Sequence, residues 1–229
     1  MNYLAHLYLS GNDEKIMVGN FIGDFVKGKM WEKYPARVGQ GILLHRRIDS
    51  FTDSHPKFID ARMRFKPAFG LYSGIIIDFL YDHYLAKNWN SYSEYNLHQF
   101  TKQAHTVLLK NFLRLPAQVQ QFLPFLIKNK RLESYATIDG LIEAVGIMSK
   151  YSSLPNKPEQ LKEIWLKDYQ HLEENFTVFM PDLMSFTNTI LTTFQNRTNA
   201  LNQNFSYRLA SSLIKMNKRI VNDHNDEPP

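Results

Sequence analysis

The sequence predicts an all-α fold, a single-domain bundle of helices, and three observations carry that prediction. Apolar residues recur at helical spacing along most of the 229 residues. Runs in which apolar and β-branched residues alternate with polar ones, which are typical of strands, are missing. Glycine and proline, the residues that most often interrupt helices, number only 10 each. A chain of this length is expected to bury one sizeable core.

The first half of the chain contains four apolar segments with helical character. An apolar-rich segment covers residues 2–9 and ends in a Gly-Asn-Asp turn. A helix is predicted for residues 15–29, where apolar side chains recur three or four positions apart. The next helix, residues 37–54, ends before Pro56. The segment 71–88 is apolar nearly all round, which predicts a buried helix.

The second half continues the helical pattern with longer polar faces. Its predicted helices cover residues 92–113, 116–127, 131–150, 159–179 and 182–221. The clearest break is the loop 152–158, which is rich in Ser, Pro and Asn but short for a linker between domains. The ending, 222–229, is polar and carries a double proline, so we expect it to be disordered.

Composition limits the classes of function. The net charge of +5 favours an anionic partner, but the basic residues are scattered and form no nucleic-acid-binding module, so no nucleic acid partner is expected. The absence of cysteine excludes disulfides, thiolate chemistry and Cys-ligated metals, and fits a cytoplasmic location. No apolar run is long enough for a membrane span, and no signal-peptide pattern opens the sequence. Nothing in the sequence indicates an oligomeric state.

The stretch that follows the apolar run 42–44 carries the most distinctive chemistry. Residues four apart share one face of a helix, so His45, Asp49 and Asp53 line one side, with Arg46 and Arg47 beside them. This face is suited to a hydrolytic site that holds a divalent metal and a phosphate. The alternative is an exposed helix face laced with Arg–Asp pairs, a common and weak arrangement.

A second pair of acids lies in the apolar helix 71–88. Asp78 and Asp82 are four residues apart, and a carboxylate buried alone costs several kcal/mol, so each must be paired or bind a metal. Arg46 or Arg47 would satisfy the acids one at a time. We favour a single cation at which both acids converge with other ligands, because one ion neutralises several carboxylates. The residues expected to join them are Asp24, His45 and Asp49.

Four segments together resemble the bacterial acyl carrier protein phosphodiesterase family. They are residues 1–9 (MNYLAHLYL), 19–28 (GNFIGDFVKG), 45–53 (HRRIDSFTD) and 78–85 (DFLYDHYL), the last followed by Trp89. Their order and spacing over about ninety residues make the signal specific. The resemblance implies a family domain over residues 1–190, a helical C-terminal extension over 191–221 and the disordered tail beyond it.

The resemblance also implies a fold and an activity. The fold would be all-helical, like a divergent HD-type metal-dependent phosphohydrolase. The activity would be hydrolysis of the phosphodiester that joins 4′-phosphopantetheine to a serine of holo acyl carrier protein, giving the apo carrier protein. The cofactor would be a divalent metal, Mn²⁺ before Mg²⁺. Acyl carrier protein is acidic, which suits a basic enzyme.

By position, the resemblance assigns two overlapping sets of site residues. The metal ligands or their near neighbours are Asp24, His45, Asp49, Asp78 and Asp82. The catalytic set is Asp49, Asp78, Arg46, Arg47 and His83. His6 and His83 are candidates for outer ligands or proton transfer, Asp49 and Asp78 for the general base, and the two arginines for contacts with phosphate oxygens.

Two other functions remain open from the sequence. The same metal chemistry would serve an HD-like phosphohydrolase that acts on nucleotides or another small phosphodiester. A non-catalytic helical protein that docks an acidic partner is the alternative from a different class, and it predicts no tight metal binding. Retention of five costly ionisable groups in one region favours catalysis over this last function.

Overall fold

A computed structural model describes residues 1–223, with side chains described for residues 1–200. Residues 1–223 form helices and turns and contain no strand, so the all-α prediction is confirmed. Within this part of the chain, no helix combines the length and the apolar character that a bilayer crossing requires. The predicted disordered tail lies outside the described residues from position 224 onward.

Eleven α-helices make up the described part of the chain. They are α1 (Tyr3–Tyr8), α2 (Glu14–Phe21), α3 (Ala36–Ser54), α4 (Pro56–Phe69), α5 (Ser73–Lys87), α6 (Leu97–Lys110), α7 (Ala117–Lys128), α8 (Arg131–Ser134), α9 (Ile138–Tyr151), α10 (Pro158–Lys167) and α11 (Tyr169–Asp223). The chain divides into two compact units, Met1–Thr187 and the part from Asn188 onward. All the features described below belong to the first unit.

Helix α5 is buried on nearly all sides, as its apolar composition predicts. The rings of Tyr81 and Tyr84 lie 5.5 and 5.9 Å from the ring of Phe176 in α11. The Trp165 indole N–H of α10 donates a hydrogen bond of 3.0 Å to the Tyr84 hydroxyl. These aromatic contacts fix α5 and therefore the backbone that carries Asp78.

Two glycines allow α2 and α3 to pack closely. A Cβ atom on Gly19 would overlap the carbonyl oxygen of Val38, and one on Gly41 would overlap that of Ile16. Close backbone approach of this kind is possible only for residues without a side chain. The contact brings the end of α2 against α3, so that Asn20 lies beside His45.

The predicted helix 15–29 is wrong in its second half. Helix α2 ends at Phe21, and the chain tightens into a 3-10 turn at Gly23–Phe25. A Cβ on Gly23 would overlap the His45 ring, so the backbone passes directly against that imidazole. Helical spacing of the apolar residues continues through the turn, which is why the sequence pattern did not reveal it.

The predicted helices 131–150 and 159–179 are each divided in two. In the first, the Thr137 hydroxyl accepts a 3.1 Å hydrogen bond from the backbone N–H three residues on, which caps the start of α9. In the second, Asp168 leaves the helical region with φ of −111° and pairs with Arg64 at 2.9 Å. At Thr137 a local side-chain bond competes with helix continuation, whereas at Asp168 the side chain pairs with a distant residue of α4.

Candidate metal centre and active site

Two histidines from different helices converge on one carboxylate. His6 comes from α1, whereas His45 and Asp49 come from α3, one turn apart. His6 Nε2 lies 3.1 Å from Asp49 Oδ1, and His45 Nε2 lies 3.1 Å from Asp49 Oδ2. One ligand atom of each residue lies within 4.8 Å of the others, so the three form a compact donor set. We call these three residues the His–Asp cluster.

The hydrogen bonds on the far side of each ring orient the cluster. His6 Nδ1 lies 2.8 Å from the Asn20 side-chain oxygen, and His45 Nδ1 lies 2.7 Å from the Asn20 carbonyl oxygen. Because both oxygens only accept, each Nδ1 carries the proton and donates. The two Nε2 atoms therefore face the oxygens of Asp49, and His6 Nε2 also lies 3.0 Å from the Met1 carbonyl oxygen. His45 Nε2 is buried and lies 3.3 Å from Asp24 Oδ1 and 3.1 Å from Asp49 Oδ2.

The electrostatics of the two imidazoles are opposite. Burial alone would lower the pKa of His45, but the carboxylates of Asp24 and Asp49 outweigh it and raise the pKa to about 9. Burial and the adjacent positive His45 lower the pKa of His6 to about 4. The Asp49 pKa is depressed, despite burial, by both imidazoles. The pair therefore favours one positive charge between the rings and Asp49.

The donor chemistry of the cluster fits a divalent metal ion. Two imidazole nitrogens and the carboxylate oxygens point toward one another. Their lone pairs repel unless a proton or a cation lies between them. Imidazole and carboxylate are the ligands of many divalent ions, and the remote hydrogen bonds to Nδ1 are typical of metal-binding histidines.

Asp24 extends the cluster toward solvent. It sits on the 3-10 turn Gly23–Phe25, and its Oδ1 lies 3.3 Å from His45 Nε2. The hydrogen bond with His45 lowers the Asp24 pKa. Its side chain is 63% exposed, in contrast to 4% for His45, so Asp24 carries the group from the buried imidazole to the surface. The sequence-predicted residues Asp24, His45 and Asp49 thus lie together.

A cavity of about 500 Å³ opens beside these residues. Four aspartates line it together with one guanidinium: Asp24, Asp49, Asp53, Asp78 and Arg62. The sequence interpretation did not include Arg62, which lies among other basic residues of α4 and gives no signal of its own. A second cavity, about 340 Å³ and mostly apolar, shares Phe79 and Met148 with the first.

Asp78 faces the first cavity, but its ion-pair partner is the chain's N-terminal ammonium and not a histidine of the His–Asp cluster. The Met1 α-ammonium lies 2.9 Å from Asp78 Oδ1 and 3.6 Å from Asp49 Oδ1. Burial raises the Asp78 pKa to about 6, opposed by this ammonium group. Burial also opposes the charge on the ammonium, but the carboxylates of Asp78 and Asp49 raise its pKa to about 10. The predicted cation between buried acids is thus partly supplied by the chain itself.

Asp82 lies outside the His–Asp cluster. Its Oδ2 accepts a 2.8 Å hydrogen bond from the Leu4 N–H, and its Oδ1 accepts one of 3.1 Å from the Ala5 N–H. These are N–H groups of the first turn of α1, which have no partner within the helix. Burial raises the Asp82 pKa to about 7, and the two backbone bonds oppose that rise. Asp82 fastens α1, which carries His6, to α5.

The remaining sequence-predicted residues lie apart from the cluster. His83 Nδ1–H donates to the Tyr135 carbonyl at 2.8 Å, and the Tyr169 hydroxyl donates to Nε2 at 2.9 Å, within the aromatic core. Arg46 donates to the Val26 carbonyl at 2.7 Å. Within the described residues, neither Arg46 nor its exposed neighbour Arg47 forms an ion pair, so they do not neutralise Asp78 or Asp82.

Comparisons with known proteins agree on one family. The family model described as acyl carrier protein phosphodiesterase matches residues 1–183. Curated proteins named acyl carrier protein phosphodiesterase are similar to the chain: that of Yersinia pestis is 31% identical over 80% of this chain and 96% of its own length. The protein of Pectobacterium atrosepticum is 31% identical over 82% and 98%. No solved structure matches, so the likeness to HD-type phosphohydrolases stays a prediction.

Proposed function

Because the chain belongs to the acyl carrier protein phosphodiesterase family, and is thus a hydrolase of phosphodiester bonds, we propose a specific reaction for it. The enzyme hydrolyses the phosphodiester that joins 4′-phosphopantetheine to a serine of holo acyl carrier protein. The products are the apo carrier protein and free 4′-phosphopantetheine. The convergence of His6, His45 and Asp49 beside a cavity is the observation that carries this proposal.

The proposed cofactor is a divalent metal ion, with Mn²⁺ preferred to Mg²⁺. His6 Nε2, His45 Nε2 and the Asp49 carboxylate would hold it, with Asp24 as the exposed fourth donor. When bound, such an ion polarises a phosphodiester oxygen and lowers the pKa of a coordinated water. Mixed imidazole and carboxylate donors favour Mn²⁺ over Mg²⁺, which prefers oxygen ligands alone.

Asp78 is the proposed general base. It lines the cavity, and burial brings its pKa to about 6, close to the value at which a carboxylate accepts a proton efficiently near neutral pH. Asp24 and Asp49 have depressed pKa values and are weaker bases. The ion pair with the Met1 ammonium keeps the Asp78 carboxylate oriented toward the Asp49 side of the cavity.

Arg62 is the proposed contact for the phosphate. Its side chain lines the cavity and forms no ion pair among the described residues, whereas Arg46 donates to the Val26 carbonyl. A guanidinium binds two phosphate oxygens at once and stabilises the charge that develops on them. The adjoining apolar cavity has room for part of the pantetheine arm.

The proposed partner is holo acyl carrier protein in the cytoplasm. The net charge of +5 suits an acidic protein substrate, and no membrane or nucleic acid partner enters the proposal. Association with an acidic protein is expected to weaken as salt is added, because exposed charges are screened.

Mass spectrometry of holo carrier protein tests the reaction. After incubation with the enzyme and Mn²⁺, we expect the carrier protein to lose the mass of its prosthetic group. His45→Ala should abolish this loss, whereas His98→Ala, which removes an exposed histidine on α6, should not. Parallel incubations use nucleotides and bis-p-nitrophenyl phosphate. Hydrolysis of these with intact holo carrier protein would assign a different phosphodiester substrate.

A chain that binds no Mn²⁺ and hydrolyses none of these substrates would overturn catalysis altogether. That result would favour a protein that only docks its acidic partner. Equal turnover by wild-type protein and His45→Ala would leave the reaction in place and overturn the site assignment.

A further inference from the structure

One buried residue contacts both imidazoles of the His–Asp cluster. Asn20, near the end of α2, is fully buried. Its side-chain oxygen accepts from His6 Nδ1–H at 2.8 Å, and its backbone carbonyl accepts from His45 Nδ1–H at 2.7 Å. Two oxygens of a single residue therefore hold histidines from two different helices.

The amide nitrogen of Asn20 fixes which way its side chain faces. It donates to the His6 carbonyl at 2.7 Å and to the Ser10 hydroxyl oxygen at 3.0 Å. An inverted amide would place N–H groups against His6 Nδ1 and would face its oxygen to the His6 carbonyl. The orientation with Oδ1 toward His6 is therefore the one that satisfies all its partners.

We infer that Asn20 is a positioning residue that sets the tautomer of both histidines. By accepting a hydrogen bond from each Nδ1–H, it directs both Nε2 atoms toward Asp49, where a bound metal ion would take their lone pairs. This inference rests on the proposed metal-dependent function. Asn20 does not line the cavity, so it acts on a bound ion only through His6 and His45.

The two contacts respond differently to substitution. The bond to His6 uses the side chain, whereas the bond to His45 uses the main chain and survives any change at position 20 that keeps the fold. Asn20→Ala should therefore release His6 alone. Asn20→Asp keeps an acceptor for His6 Nδ1–H, and its buried carboxyl group, in the protonated form, donates to the His6 carbonyl in place of the amide N–H. This variant should therefore restore the orientation of His6.

Metal affinity and ring protonation together test the inference. We expect Asn20→Ala to weaken Mn²⁺ binding, measured by calorimetry, about 10- to 100-fold, the usual effect of losing a partner behind a metal ligand. Asn20→Asp should bind close to wild type. Asn175→Ala, which removes another buried asparagine remote from the cluster, should bind as wild type does and controls for general packing loss.

Nuclear magnetic resonance of protein with ¹⁵N-labelled histidine reports directly which ring nitrogen carries the proton. A general loss of packing would not change that signal. In the Zn²⁺-loaded wild type and Asn20→Asp, we expect Nδ1–H signals for both His6 and His45. In Asn20→Ala, only the His45 signal should persist. If Asn20→Ala does not fold, the Asp variant decides: loss of its His6 Nδ1–H signal would overturn the inference.

Failure of this inference differs from failure of the proposed function. Wild-type Mn²⁺ affinity in Asn20→Ala, or equal weakening in Asn175→Ala, would overturn the role of Asn20 while leaving the metal site in place. A wild-type protein that binds no Mn²⁺ would overturn the proposed function and, with it, this inference.

Discussion

The imidazoles of His6 and His45 are stacked, with ring centroids 3.9 Å apart and planes inclined by 16°. At this distance the two rings repel each other when both are charged, which agrees with the opposite pKa shifts of the pair. The stacking holds only if Asp49 bridges both Nε2 atoms on one side and Asn20 both Nδ1 atoms on the other. This arrangement is compatible with a divalent ion between the two Nε2 atoms and Asp49.

Replacement of the bridging carboxylate should remove the metal site. We expect Asp49→Asn to abolish turnover and to weaken Mn²⁺ binding by more than about 100-fold. Loss of a residue that only hydrogen-bonds to a metal ligand already lowers metal affinity about 10- to 100-fold. Asp53→Asn, one turn further along α3, should keep its Mn²⁺ affinity since that carboxylate contacts neither imidazole within the described residues. Calorimetric titration of both variants decides; similar affinities would contradict the bridging role.

A glycine controls the position of the second imidazole. Gly23→Ala places a methyl group where the His45 ring lies, so either the ring or the 3-10 turn that carries Asp24 must shift. We expect weakened Mn²⁺ binding and lost turnover, with the helical circular dichroism of the wild type. Gly146→Ala is the matched control: its Cβ meets open space on α9, so it should keep activity and gain up to about 1 kcal/mol of stability.

Unchanged Mn²⁺ affinity in Gly23→Ala would show that the His45 ring has room to move. In that case the close contact between the turn and the ring does not define the metal site.

Much of the fold and part of the site follow from sequence patterns within single helices. His45 and Asp49 share a face because they are four residues apart, and that local rule is confirmed by their 3.1 Å contact. Asp78 and Asp82 are also four residues apart and both meet the N-terminal segment, but their partners differ: Asp78 pairs with the Met1 ammonium beside the cavity, and Asp82 binds the first turn of α1. Spacing specifies a helix face, but only tertiary packing determines what that face meets.

Contacts between distant segments were beyond sequence reasoning. His6 belongs to a short helix whose docking depends on Asp82 and Asn20, and none of these three residues shares a helix with another. Arg62 gave no signal because a basic residue among other basic residues of one segment is ordinary. The pairing of the Met1 ammonium with Asp78 requires the chain terminus to enter the core, which no periodicity encodes.

Removal of Asp82 should cost stability rather than metal ligands. In Asp82→Ala, the Leu4 and Ala5 N–H groups remain buried without acceptors, so we expect a loss of about 1–3 kcal/mol in the free energy of unfolding. Urea denaturation measures it. Asp139→Ala, whose side chain is 91% exposed, should change stability by less than about 0.5 kcal/mol. Loss of Mn²⁺ binding by fully folded Asp82→Ala would instead support a direct ligand role.

The buried His83 should make the protein less stable in acid. Its pKa falls from 6.5 to about 4, chiefly through burial, so the unfolded chain binds more protons than the folded one between these values. Stability from this group is therefore complete above pH 6.5 and is lost as pH falls toward 4. Between pH 7 and pH 5 the loss is on the order of 2 kcal/mol.

His83→Gln provides the comparison for this pH dependence. Urea unfolding at pH 7 and pH 5 should show a smaller loss in the variant than in the wild type, by the amount that His83 contributes. Identical pH dependence of the two proteins would mean that His83 remains equally protonated in the folded and unfolded states.

The central claim is that His6, His45 and Asp49 together hold a divalent ion. Anomalous X-ray diffraction at the manganese absorption edge, from crystals of the Mn²⁺-loaded protein, tests it most directly. We predict one strong peak in coordination contact with both Nε2 atoms and the Asp49 carboxylate. An anomalous map with no peak there, or with the ion bound elsewhere in the chain, would contradict the account.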